Sequence, residues 1–166
     1  WMQQVVYEIV TRGRGDFDGH DGHLYAISPW IDAVNSVPVQ DAPLVGGRPP
    51  RIIKTHLPTA LCPYSPDARY IYVARHPVGW FASILDFNRS MIGPLLPPVD
   101  TMVDWFCSER MYWGSWPRHV DGWWRWAQQH DNVLFVHFED MKRDFAAVRN
   151  RVAEFLGCSL TADEQR

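Results

Sequence analysis

Apolar residues stand at positions 1, 2, 5, 6, 9 and 10 of the opening stretch WMQQVVYEIVT. That is the spacing of one helix face, so a helix is predicted over residues 1–11. The Gly- and Asp-rich RGRGDFDGHDGH breaks the pattern, LYAISPWIDAV is a mixed segment around Pro29, and PVQDAPLVGGRPP reads as loop. A short strand is predicted over residues 51–56, where Ile52 and Ile53 are β-branched and Leu57-Pro58 ends the run. A second strand, residues 69–74, is nearly continuous in apolar character, as buried parallel strands are. Pro77 suits the first turn of the next helix, which buries Val78, Phe81, Ile84 and Leu85. SMIGPLLPPVD is a second loop, residues 101–111 and 120–129 are predicted helical, and NVLFVHFE is a third strand. Asp140 is expected to cap a long helix with Met141, Phe145, Val148, Val152 and Phe155 on one face and Gly157 as its stop. A further helix begins at Ser159. Strands alternating with helices predict an α/β fold with a parallel sheet, whose ligands bind beyond the carboxyl ends of the strands. Lys54, His56, Arg75 and Phe138 all sit at such ends.

Composition narrows the partners. With 166 residues the chain is one domain or part of one. Its net charge of −3 argues against a general nucleic-acid or anionic-membrane binder, while leaving room for one local basic pocket. No apolar run approaches the ~18 residues of a membrane span. Cys62, Cys107 and Cys158 are odd in number and scattered without a CxxC, which points to reduced thiols and a cytoplasmic setting. Of nine Trp, six fall between Trp105 and Trp126, and such a stripe is read as core. The DFDGHDGH loop fails the calcium-loop pattern, so Asp16, Asp18, His20 and His23 are read as solvated and no metal is expected.

Two stretches carry candidate chemistry. Lys54 and His56 are two apart on the predicted strand and so project from one face at its end. They are either a solvated Lys and a turn-capping His, or a cation beside a general base able to deprotonate an acceptor hydroxyl. Arg75 leaves the second strand and Ser83 follows two turns into the helix. They are either a salt-bridged Arg and a surface Ser, or a bidentate oxyanion grip with one neutral donor.

RIIKTHLP, YIYVARHPVGWFAS, YWGSWPRHVDGWW, VLFVHFEDMKRD and EFLGCSL occur in this order and spacing. Together they resemble the cytosolic-type sulfotransferases, which move a sulfonate from 3′-phosphoadenosine 5′-phosphosulfate (PAPS) to a hydroxyl or amine and leave 3′-phosphoadenosine 5′-phosphate (PAP). The resemblance implies a P-loop-type three-layer α/β fold around a central parallel sheet, incomplete at both ends, in one truncated domain over residues 1–166. It casts His56 as catalytic base and Lys54 as the contact to the sulfuryl and phosphate side of the donor. It casts Arg75 and Ser83 as ligands of the 3′-phosphate, Trp1 as the residue stacked on adenine, and Phe138 as an adenine neighbour where the family often has Tyr. The family's Pro-Lys-Ser-Gly-Thr-Thr-Trp loop is represented by Trp1 alone, and its C-terminal Arg-Lys-Gly is absent.

The segment AISPWIDA resembles one that lines the acceptor side and nominates Pro29 and Trp30. Met91, Ile92, Leu95 and Leu96 are apolar and Pro-stiffened, and read as a lid over a small lipophilic acceptor or a surface packed on a neighbouring subunit. The implied partners are a small hydroxyl acceptor and, as one candidate assembly, a homodimer; no nucleic acid, membrane or metal is called for. Two rivals stand beside this reading: a P-loop phosphotransferase using ATP, and a non-enzymatic interaction module.

Overall fold

The computed structural model describes residues 1–15, 24–33, 36, 38–42, 44 and 51–165. The Asp16, Asp18, His20 and His23 loop therefore lies outside the described residues. The chain divides into two units, Trp1–His56 with Asp144–Arg166, and Leu57–Arg143.

In the first unit, α1 (Met2–Thr11) follows the predicted boundary closely and buries Tyr7 and Ile9. Tyr7 packs with Ile27, from the short α2 (Leu24–Ile27), and with Ile52. Gln3 Nε2 donates to Ser28 Oγ at 2.8 Å, and Ser28 is fully buried, so α1 pins the segment that leads into Pro29 and Trp30. The predicted strand at 51–56 is reduced to one parallel bridge, Trp30 with Lys54. Lys54 N donates to Pro29 O at 2.8 Å and Ile31 N to Lys54 O at 3.1 Å. Two such bonds hold the segment, and Leu57-Pro58 ends it before a ladder develops.

The helix expected to start at Asp140 is instead two helices, α6 (Phe138–Arg143) and α7 (Phe145–Phe155). Asp144 caps α7, its side chain accepting from Ala147 N at 2.9 Å, while Asp140 pairs with Arg143. The carboxylate at the break takes the orphan amide, which is why 144 and not 140 is the cap. Gly157 ends α7 at φ +72°, as expected. In place of a further helix, Thr161 and Glu164 exchange reciprocal side-chain bonds, Thr161 N to Glu164 Oε2 at 2.8 Å and Glu164 N to Thr161 Oγ1 at 3.3 Å, the pattern of a capping box.

In the second unit, β1 (Tyr70–Ala74) and β2 (Val133–His137) pair in parallel with Tyr70 opposite Val133 and Ala74 opposite His137. Val133 to Val136 are all buried, which explains the unbroken apolar run. Alternate residues Tyr70, Tyr72 and Ala74 join Val133 and Phe135 on the face that meets Trp123 and Trp126 of α5 (Trp116–Gln129). Trp123 is buried and stacks on Tyr72 at 5.3 Å and 12°, so the Trp stripe is core there, whereas Trp124 is half-exposed. Between β1 and α5 lie α3 (Pro77–Ile92), which Pro77 opens, and α4 (Val99–Phe106). Met91 and Ile92 were expected in a loop, but α3 runs through them to Gly93 at φ +52°, where its C-terminus turns. Among the described residues no helix is long and apolar enough to cross a membrane.

Candidate active site

Asp32, Lys54 and His56 gather around the Trp30 ring in the first unit. The His56 ring meets it edge-on at 4.7 Å, and Lys54 Nζ lies 4.1 Å from its centroid. The same-face expectation for Lys54 and His56 is met, since both side chains touch one indole. Pro29 is fully buried and contributes its carbonyl to the Lys54 amide.

Asp32 escaped the sequence reading. Its carboxylate accepts from the His56 amide at 3.1 and 3.2 Å and stands 3.5 Å from His56 Nδ1, with the Asp32 side chain nearly buried and the His56 side chain about a third exposed. Burial alone would raise the Asp32 carboxyl. Hydrogen bonds from the Trp30 and Thr55 side chains and the His56 amide, with the His56 charge, outweigh burial and hold it below its ordinary value. Lys54 is half-buried, and burial pushes its ammonium down, with the Asp32 charge opposing. The Asp32 carboxylate thus stands beside the Nδ1 edge of the imidazole, close enough to attract it when protonated.

Arg75 and Phe138 meet in the second unit, the guanidinium carbon 4.6 Å from the ring centroid. Both residues leave the sheet at the same level because Ala74 is opposite His137. Ser83 is an exposed residue on α3. Met91, Ile92 and Leu95 are exposed apolar side chains, Leu95 at 80%, and Leu96 is half-buried. Trp1, at the first unit's N-cap position, is 71% exposed. Cys62, Cys107 and Cys158 form no disulfide, and among the described residues no cluster of three or more His, Cys, Asp or Glu is arranged to hold a metal ion.

The first unit thus gathers a carboxylate, an ammonium and an imidazole at one indole, and in the second an Arg leaves the parallel sheet beside Phe138. The family model described as the sulfotransferase domain matches residues 1–166, and the chain belongs to that family. It is 36% identical to human sulfotransferase 1C2 over 167 residues, covering 95% of this chain and 54% of that protein. It is 33% identical to rat sulfotransferase 1C2 over 176 residues, covering 96% and 55%. The chain thus spans about half the length of the curated relatives it matches. Among solved structures, the mouse sulfotransferase SULT7A1 complexed with PAP matches at a TM-score of 0.63 and 28% identity, over 69% of this chain and 43% of that one. Retinol dehydratase in complex with androsterone and inactive cofactor PAP shares the fold at a TM-score of 0.78 and 20% identity, over 99% and 57%.

Proposed function

We propose that this chain carries the base and the 3′-phosphate grip of a PAPS-dependent sulfotransferase acting on the hydroxyl or amine of a small, lipophilic acceptor. The observation that carries the reading is the set of Asp32, Lys54 and His56 around one Trp30 ring. When bound, PAPS supplies an electrophilic sulfonate joined to a phosphate leaving group. His56 Nε2 takes the hydroxyl proton while the acceptor oxygen bonds to sulfur. Lys54 balances the charge left on the phosphate oxygen as the bond from sulfur to that oxygen breaks. Asp32 holds the imidazole in place and balances the imidazolium that forms.

Arg75 and Ser83 bind the 3′-phosphate, and Trp1 and Phe138 contact adenine. Pro29, Trp30, Met91, Ile92, Leu95 and Leu96 flank the acceptor. The exposure of Trp1, Met91 and Leu95 supports these roles, because ligand-contacting apolar groups must be reachable. Lys and Arg hold the anions in this scheme, so it calls for no metal. Family membership favours it over phosphoryl transfer from ATP and over a non-enzymatic module.

The test is calorimetric titration of PAP and of adenosine 5′-phosphate (AMP) into the complete gene product, beside His56→Ala and Arg75→Ala. PAP should bind more tightly than AMP in the wild type and in His56→Ala. Arg75→Ala should remove the difference, and His56→Ala should lower sulfonate transfer by roughly 10²–10⁴. Equal binding of the two nucleotides by the wild type would sink the proposal.

A further inference from the structure

We infer that Gly79, Phe138 and Glu139 form a clamp that presets the Arg75 guanidinium for a phosphate monoester. They would then be positioning residues for 3′-phosphate recognition. The inference rests on the reading above that Arg75 takes that phosphate.

Arg75 is half-buried, yet among the described residues it forms no ion pair with a carboxylate and none of its N–H groups finds a protein acceptor. A partly buried guanidinium with no protein acceptor keeps its N–H fork available to an anion. What holds it is instead neutral. The Phe138 ring lies 4.6 Å from Cζ, an attraction that fixes the guanidinium without consuming its charge.

Gly79, in the first turn of α3, supplies the second contact. A Cβ there would stand 3.2 Å from Arg75 Nε, 3.8 Å from Nη2 and 3.9 Å from Cγ. The Arg75 side chain therefore runs along the bare Cα of residue 79, and only glycine leaves the full width of that path. Glu139 supplies the third contact. Its Oε1 accepts from the His76 amide at 3.0 Å, tying the start of α6 to the residue beside Arg75. Burial is the largest single influence and raises the Glu139 carboxyl, but the His76 amide, its own amide and the neighbouring His137 and His76 together bring it below its ordinary value, so the tie is ionic at neutral pH. The carboxylate grips backbone and leaves the guanidinium to the ligand.

The experiment compares the PAP and AMP affinities of the complete gene product with those of Arg75→Ala, Gly79→Ala, Phe138→Leu, Glu139→Ala and Glu139→Gln, with melting temperatures recorded alongside. The ratio of the two affinities isolates the 3′-phosphate, because any change at adenine lowers both nucleotides and cancels. Gly79→Ala should cut the ratio about tenfold, the worth of one well-aligned charged hydrogen bond. Its melting temperature should hold or rise, because Ala favours a helix over Gly. A purely structural lesion would move both quantities down. Phe138→Leu should cut the ratio roughly 3–10-fold. Glu139→Ala should lower it, and Glu139→Gln, which keeps an acceptor for the His76 amide, should restore it. If Arg75→Ala abolishes the ratio while Gly79→Ala and Phe138→Leu leave it within about twofold of wild type, the clamp is refuted and the Arg75 reading stands. If Arg75→Ala itself leaves the ratio unchanged, the Arg75 reading falls and the clamp with it.

Discussion

Replacing Asp32 by Asn keeps the size of the side chain and removes its charge. In the reaction proposed here His56 becomes an imidazolium 3.5 Å from that carboxylate. At an effective dielectric near 20, two unit charges at such a separation attract by roughly 4–5 kcal/mol. The His56 side chain is 35% exposed, so solvent screens the pair, and about 1.5–3 kcal/mol is a fair share for the transition state. Asp32→Asn should therefore lower kcat roughly 10–10²-fold, less than the loss from removing the imidazole. PAP affinity should hold, because the substitution leaves the proposed phosphate ligands Arg75 and Ser83 unchanged. Sulfonate transfer to a series of phenols gives the sharper readout. A phenol acidic enough to ionise in solution, such as 4-nitrophenol, needs no base, so the defect should shrink as acceptor acidity rises. A defect of one size across the series, or a kcat within about twofold of wild type for the weakly acidic phenols, would refute the argument.

Other consequences can be measured directly. Because Asp32 titrates below its ordinary value of 3.8, its stabilising contribution is present above that pH and is lost as pH falls through the lower folded value. Acid denaturation of Asp32→Ala should accordingly be shallower than that of wild type below about pH 4. Burial lowers Lys54 from 10.5, so between the folded value and 10.5 the unfolded chain binds more protons and stability rises with pH. If Lys54 holds the donor's phosphate as proposed, PAP binding should fall across the same window, and calorimetry should show Lys54→Met losing that pH dependence. Trp123 is 4% exposed and donates to Leu57 O at 3.2 Å, so Trp123→Phe should cost about 2–4 kcal/mol in urea unfolding. Trp124, 49% exposed, should lose under about 1 kcal/mol on the same change. Gly157 sits at φ +72°, and Gly157→Ala should cost roughly 1–2 kcal/mol of thermal stability.

Local periodicity made α1, β1 and β2 legible, because a helix face and a largely apolar strand both leave their mark within ten residues. It failed where a partner distant in sequence decides the outcome. Residues 51–56 look like a strand by side chain, but pairing requires a neighbour, and Trp30 offers only one bridge. Met91 and Ile92 read as loop because Gly93 and Pro94 follow them, yet Pro94 permits the helix to run to its own preceding turn. The Asp140 expectation failed because two acidic residues four apart compete to cap, and the break in the chain, not composition, chose Asp144. His56, Lys54 and Arg75 were singled out from sequence by residue type and by their place at the ends of predicted strands, and the structure brings His56 and Lys54 to one indole. Asp32 was not, because 24 positions separate it from His56 and only the fold joins them; the acidic residue two places after Trp30 was the available signal. Gly79 was equally silent, since its significance lies in a side chain that belongs to residue 75.

The parallel register that sets Ala74 against His137 also fixes where chains of this kind can vary in length. An insertion in the long connection between the strands adds only loop entropy, which grows slowly with length. A single residue inserted within Tyr70–Ala74 or Val133–His137 would turn every later side chain of that strand to the other face and carry Arg75 away from Phe138. Gaps in any sequence comparison should therefore fall outside these ten positions. Related chains that differ widely in their connecting segments can keep the Arg75–Phe138 geometry, because a ladder of peptide hydrogen bonds sets its scale.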